Sequence, residues 1–267
     1  MIPYRLYKGA WVSIDESKEV LLNKSEVNEL FNKGGWMVRN VYNFDCPNET
    51  SFWYVIKDSF GGLEELSSGA RRDVRKSLRT YDVLRITANQ LLEIGYPIYS
   101  SAQEAYRVKC DVMSVDQYKT LIESYAADKN KEFWVIKHKE SGEYIALAIN
   151  TIKENSCEYN VLKCKPHALR DGSQPYYGLI HEMNRYYLEE LGLRYVNDGA
   201  RSITEHSNIQ PFLIQKFKFR KAYCDMKITY KWWLNFIIKF LYPFRKLIPV
   251  RRIKALLDME GMARGKI

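Results

Sequence analysis

The sequence predicts an α+β protein: a mixed, mainly antiparallel sheet flanked by helices, with a helical tail at the C-terminal end. Three observations carry that reading. Residues 133–136, 144–152 and 157–164 are β-branched or aromatic runs joined by the turns Glu140-Ser141-Gly142 and Glu154-Asn155-Ser156, the pattern of a three-strand antiparallel meander. Downstream the order continues as β-β-β-α-β-α-β, which places helices on the faces of a mixed sheet. With 267 residues, 46% of them hydrophobic, the chain is long enough to bury a core.

Taken in order, the first quarter reads as a strand (10–14), a helix (25–32) and two strands (36–44 and 52–57) around a Pro47-Asn48-Glu49 turn. A helix over about 63–79, a strand over 82–86 and helical stretches around 102–108 and 115–127 lead into the meander. After it come a loop (166–177), a helix over about 178–191, a strand (194–198), a helix (208–216) and an extended run (220–231). No repeat or low-complexity linker divides the chain. The expected partition is a β-rich N-terminal extension (1–62), a main domain (63–230) and a basic, apolar helical tail (231–267).

Charge is unevenly placed. The chain carries 41 Lys+Arg against 32 Asp+Glu, a formal +9, yet residues 231–267 alone hold nine basic and two acidic residues. The body is therefore nearly neutral. Within the tail, Lys231, Asn235 and Lys239 form one narrow polar stripe on a helix otherwise covered by Trp232, Trp233, Leu234, Phe236, Ile237, Ile238, Phe240 and Leu241. Such a helix is expected to bury most of its circumference against the body, a second copy or a membrane surface. Arg245, Lys246, Arg251, Arg252 and Lys254 suit an anionic membrane. The apolar stretch 232–244, interrupted by Asn235, Lys239 and Pro243, is too short to span a bilayer.

Five scattered cysteines without a CxxC pair argue against a disulfide framework or a zinc ribbon, and the N-terminal residues lack a secretory pattern, so cytoplasmic residence is expected. No metal-ligand spacing, Gly-x-Ser-x-Gly elbow or Gly-x-x-x-x-Gly-Lys loop is present, which disfavours metal hydrolases, serine hydrolases and NTPases. Aromatic residues make up 14% of the chain, more than core packing requires, so some should line a groove or interface.

Three segments could carry chemistry. Asp171-Gly172-Ser173-Gln174-Pro175-Tyr176-Tyr177-Gly178 feeds a helix N-terminus, where free N–H groups suit a pyrophosphate; in the plainer reading Ser173 or Gln174 caps the helix. The strand end Asn197-Asp198-Gly199 and the following Glu205, His206, Ser207 and Asn208 place polar residues at the carboxyl edge of the sheet, with Ser207 or Asn208 alternatively the next helix cap. Arg71, Arg75 and Arg79 share one helical face, which is either a solvated surface or a contact for a phosphate-bearing ligand.

The first two segments, in this order after a three-strand meander, resemble the GNAT acyltransferase superfamily, especially its Fem-like branch in bacterial cell-envelope and polysaccharide work, and the arginine-rich helix resembles the Arg-x-x-Arg-Lys segment early in Fem-like proteins. The match covers roughly residues 63–231. The resemblance implies acyl transfer from an activated donor, acyl-coenzyme A, to an amine or hydroxyl of an envelope or polysaccharide precursor. The acceptor would be small or lipid-linked and phosphate-bearing. Donor binding would fall on Gln174, Pro175, Tyr176, Tyr177, Gly178 and Asn208, acceptor binding on Arg71, Arg75 and Arg79, and the catalytic base on Glu158, Asp198 or Glu205. No metal is implied. The Fem-like branch also allows an aminoacyl-tRNA donor, and a non-catalytic binding protein on the same scaffold is a third reading. Lys218-Phe219 stands where the family closes a helix with Gly-Phe, and Ile214 where a Tyr often serves as general acid. A sheet that splits beside 160–164 and 194–198 is expected to open the donor pocket, with the three arginines facing it.

Overall fold

The computed structural model describes residues 2–105, 111–202 and 209–266. Ten strands and eight α-helices occur among them, with strand pairing mostly antiparallel. The chain forms two compact units, one from Met1–Val55, Ala200–Glu205 and Lys221–Ile267, the other from Ile56–Gly199 and His206–Arg220. The tail residues thus group with the N-terminal segment in one unit.

The first unit begins with β1 (Tyr4–Tyr7), β2 (Ala10–Ser13), α1 (Lys24–Asn32) and β3 (Met37–Cys46). β1 and β2 pair antiparallel, and β2 lies parallel to β3. The chain passes to the second unit within β4 (Phe52–Lys57). There α2 (Ser68–Thr80), β5 (Tyr81–Ile86), α3 (Ala88–Glu104) and α4 (Val115–Ala126) precede the expected meander of β6 (Lys131–His138), β7 (Tyr144–Ile152) and β8 (Ser156–Cys164). β5 adds antiparallel to β6, giving four consecutive antiparallel strands. Then follow α5 (Pro175–Asn184), a π-helical turn (Arg185–Glu190), β9 (Tyr195–Ala200) and α6 (Ile209–Phe217). β10 (Arg220–Tyr230) returns to the first unit and pairs antiparallel with β3; α7 (Trp232–Leu241) and α8 (Arg251–Ala263) close the chain.

Each unit has its own core. Ala10, Val12, Met37, Val41, Phe52, Cys224 and Met226 gather with Met259 and Met262 of α8 in the first. Leu91, Ile98, Tyr118, Ile122, Val135 and Leu147 fill the space between α3, α4 and the meander in the second. α3 covers residues 88–101, which the sequence reading left without an element; Pro97 lies inside it, and a capping box of Thr87 and Gln90 starts it. α2 begins at Ser68, capped by the Ser67 hydroxyl, five residues later than expected. α6 ends in a left-handed residue, Lys218 at φ 60°, after which the Phe219 N–H reaches back to Leu213 O. A lysine here adopts the conformation that glycine serves most easily.

Lys57 is almost fully buried and its ammonium sits 2.8 Å from Glu65, which fixes the approach to α2. Removing one partner of such a pair strands the other charge in the interior. Glu65→Ala should therefore destabilise the protein by about 3 kcal/mol in denaturant unfolding, whereas Lys57→Met with Glu65→Leu should recover most of the loss. A single variant as stable as the wild type would show that the pair does not hold this segment.

Candidate active site

β8 and β9 run parallel over one short ladder, from Ser156 opposite Tyr195 to Glu158 opposite Asn197. Immediately after it β8 bulges: Asn150 pairs with Tyr159 and Ile149 with Val161, so Asn160 is an extra residue. β8 continues to Cys164 and β9 to Ala200, and the strands separate at their carboxyl ends as expected. That is where an open mixed sheet offers polar side chains to a ligand.

Asp198 stands one residue past the ladder. It is partly buried and hydrogen-bonded to Gln210 of α6. Burial pushes its carboxyl from 3.8 to about 7, the Gln210 bond opposes the shift and the nearby Glu158 charge reinforces it. Glu158 carries an ion pair to Lys153 at 3.1 Å, with both side chains largely shielded. On the next residue, the Tyr159 hydroxyl donates to Asn184 Oδ1 at 2.8 Å, and burial first, with Cys157 and Asp198 adding, holds it protonated. Phe219 packs 6.4 Å from the Tyr159 ring. Glu158 on β8 thus has a cation partner and Asp198 on β9 an amide.

Beneath this site lies a polar network that sequence reasoning did not anticipate. Tyr187, in the π-helical turn, accepts from Trp134 Nε1 at 2.8 Å and Asn150 Nδ2 at 3.1 Å, and donates to Glu132 at 2.8 Å. Asn150, a fully buried amide in an otherwise apolar strand, was the available signal.

The donor cradle expected over Gln174, Pro175, Tyr176, Tyr177 and Gly178 takes a different form. Pro175 pre-sets the backbone for a helix start, so α5 begins there, three residues early, and the last four of these residues are its first turn. Gln174 precedes it at φ 61° without capping through its side chain. Pro175 has no N–H, the Tyr177 N–H closes onto Gln174 O at 3.0 Å, and Ser77 Oγ of α2 donates to Pro175 O at 3.3 Å. A Cβ on Gly178 would lie 2.6 Å from Ser77 Oγ, so this glycine admits α2 rather than a ligand. Pro175, Tyr177 and Gly178 are buried, and these residues do not fit a pyrophosphate. Of the set, Tyr176 alone lines a cavity, of about 190 Å³, with Ala102, Cys164, Pro166, Leu169 and Arg170. That is below the about 300–1,000 Å³ of most small-molecule sites. Burial pushes the Cys164 thiol up to about 12, so it is no nucleophile at neutral pH.

The arginine face is also arranged differently. α2 turns Ala70, Val74 and Ser77 inward. Arg71 is held by Glu64 at 2.7 Å and by Leu66 O, while Arg75 and Arg79 are exposed and have no ion-pair partner among the described residues. Lys76 is the cation nearest the loop, its ammonium 3.7 Å from where a Cβ on Gly172 would stand. Glu205 and Asn208 lie outside the described residues. Among the described residues no group of three His, Cys, Asp or Glu side chains is placed to hold a metal ion.

No family model and no curated protein sequence matches the chain. Solved structures do. FemX superposes with a TM-score of 0.53 at 12% identity, covering 82% of this chain and 81% of its own. The C-terminal domain of a protein described as a lysylphosphatidylglycerol synthetase from Agrobacterium fabrum gives 0.51 at 11% identity, over 84% and 78%. L-PGS from Bacillus licheniformis gives 0.51 at 11% identity, over 85% and 79%. The chain shares its fold with these three structures. Asp198 stands where the bulged β8 and β9 part, with Gln210 of α6 as its partner.

The raised carboxyl has a consequence for stability. The folded chain keeps Asp198 protonated where the unfolded chain has released the proton, so its contribution falls as pH rises from about 4 to about 7. Asp198→Asn removes that dependence. Its stability relative to the wild type should improve by about 2 kcal/mol between pH 5 and pH 8, measured by denaturant unfolding. A pH-independent difference would place Asp198 in water.

Proposed function

We propose that the chain is a transferase that moves an acyl group from an activated donor to an amine or hydroxyl, with Asp198 as the general base. The observation that supports it is a carboxyl near neutral pKa at the point where β8 and β9 part, on a fold shared with FemX and L-PGS. In the step proposed, the acceptor nitrogen or oxygen attacks the donor carbonyl carbon, its proton passes to the Asp198 carboxylate, and the bond to the carrier breaks with the carrier as leaving group. Burial first, with the charge of Glu158 adding to it, keeps the Asp198 carboxyl basic enough to take that proton at neutral pH. Arg75, Arg79 and Lys76 offer exposed cations to a phosphate-bearing acceptor from an envelope or polysaccharide route.

The helix start bears on the choice of donor. Acyl-coenzyme A would need the cradle that Ser77, Pro175 and Gly178 close, which favours a carrier held elsewhere, such as the tRNA of an aminoacyl ester. The name lysylphosphatidylglycerol synthetase describes a product in which an amino acid is joined to an anionic phospholipid, and it suits the same choice. The test is transfer by the full chain from lysyl-tRNA, alanyl-tRNA and acetyl-coenzyme A to amine and hydroxyl acceptors. Asp198→Asn should lower kcat by roughly 10²-fold or more, and the wild-type rate should rise through about pH 7 to a plateau. Undiminished turnover in Asp198→Asn removes the base assignment; transfer from acetyl-coenzyme A alone reverses the donor choice.

A further inference from the structure

α7 packs through one stripe and leaves the other side bare. Leu234, Ile238 and the following Tyr242 are buried against Leu257 of α8, with Trp36 and Tyr230 at the margin. Against the body, then, the helix buries this stripe alone and not most of its circumference. Trp232 is 78% exposed, Phe236 70% and Phe240 72%, and the stripe continues into Phe244. Trp233 and Ile237 widen it. Spacing of four residues aligns these rings on one outward face of a helix about 15 Å long. The next turn adds Leu247, 80% exposed, and Val250. An apolar patch of this extent on a monomer's surface marks a docking site.

The charge around it decides the occupant. Lys239, Lys246, Arg251, Arg252 and Lys254 are exposed beside the patch, Arg245 stacks on Tyr242 at 4.4 Å, and no Asp or Glu occurs from 231 to 257. A second copy docked through the same face would bring two such cation clusters together with no acid between them. A bilayer containing anionic phospholipid meets both features, burying rings at the headgroup boundary and pairing phosphates with the rim. We infer that the outer face of α7, from Trp232 to Phe244, docks this protein onto the surface of an anionic phospholipid bilayer. No helix among the described residues is long and apolar enough to cross a membrane, so α7 lies in the interface plane. This inference stands apart from the transferase reading, since neither Asp198 nor its partners enter it.

Co-sedimentation of the full chain with vesicles of phosphatidylcholine, alone or mixed with phosphatidylglycerol, tests it, with tryptophan emission and light-scattering mass as parallel readouts. The mixed vesicles should bind the protein at least about tenfold more tightly than plain ones and shift Trp232 and Trp233 emission to shorter wavelength. Phe236→Ser with Phe240→Ser should lose about tenfold in affinity with an unchanged melting temperature, because both rings are exposed. Lys246→Glu with Arg252→Glu, which leaves the packed stripe untouched, should lose a comparable factor on the mixed vesicles only. Equal recovery with both vesicle types, variants that bind like the wild type, or a dimer that the phenylalanine variant dissolves would each overturn the assignment.

Discussion

The parting of β8 from β9 after a single short parallel ladder is the constraint on which the proposed chemistry depends. Had the pairing continued, the backbone of Asp198 would be tied into the ladder with β8. Instead the bulge at Asn160 turns β8 away, and Asn197 Oδ1 accepts the Gly199 N–H where Gly199 takes φ 88°. That conformation is easy for glycine and costly for other residues. Asp198 is thereby held between two fixed backbone features with Gln210 as its polar partner. A carboxyl so placed loses hydration without gaining a cation of its own, and protonation near neutral pH follows.

A second consequence comes from helix packing. α2 and α5 approach closely because Gly178 has no side chain where Ser77 passes. The contact sets the Ser77 hydroxyl on the Pro175 carbonyl at the start of α5, where Pro175 has no N–H of its own and the Tyr177 N–H is taken by Gln174 O. One glycine thus changes meaning with its surroundings: in a loop it admits a ligand, in a helix it admits another helix. The donor question turns on that distinction.

Much of the fold could be read from the chain, and the reasons it stopped are physical. The meander was legible because continuous β-branched and apolar runs such as 144–152, bounded by turn residues, read as strands, and Asp198 from its place at a strand end. Partners set by packing were not: Gln210 and Asn184 reach Asp198 and Tyr159 only once α6 and α5 are docked. Residues 88–101 have no element in the sequence reading; Gly95 and Pro97 are poor helix residues, yet a capping box and burial of Leu91 and Ile98 carry the helix through them. Nor does an all-round apolar helix disclose which stripe it buries. Trp36, distant in sequence, and Leu257 of α8 select Leu234 and Ile238 and leave the other rings outside.

The central claim is that the environment of Asp198 makes it a base at neutral pH, and its own titration tests that most directly. Carbon-13 NMR of protein labelled at the aspartate carboxyls, with the resonance assigned by its loss in Asp198→Asn, follows the group through pH 3 to 9. The account predicts a midpoint near 7. A midpoint at about 3.9, the value of an aspartate in water, would contradict it.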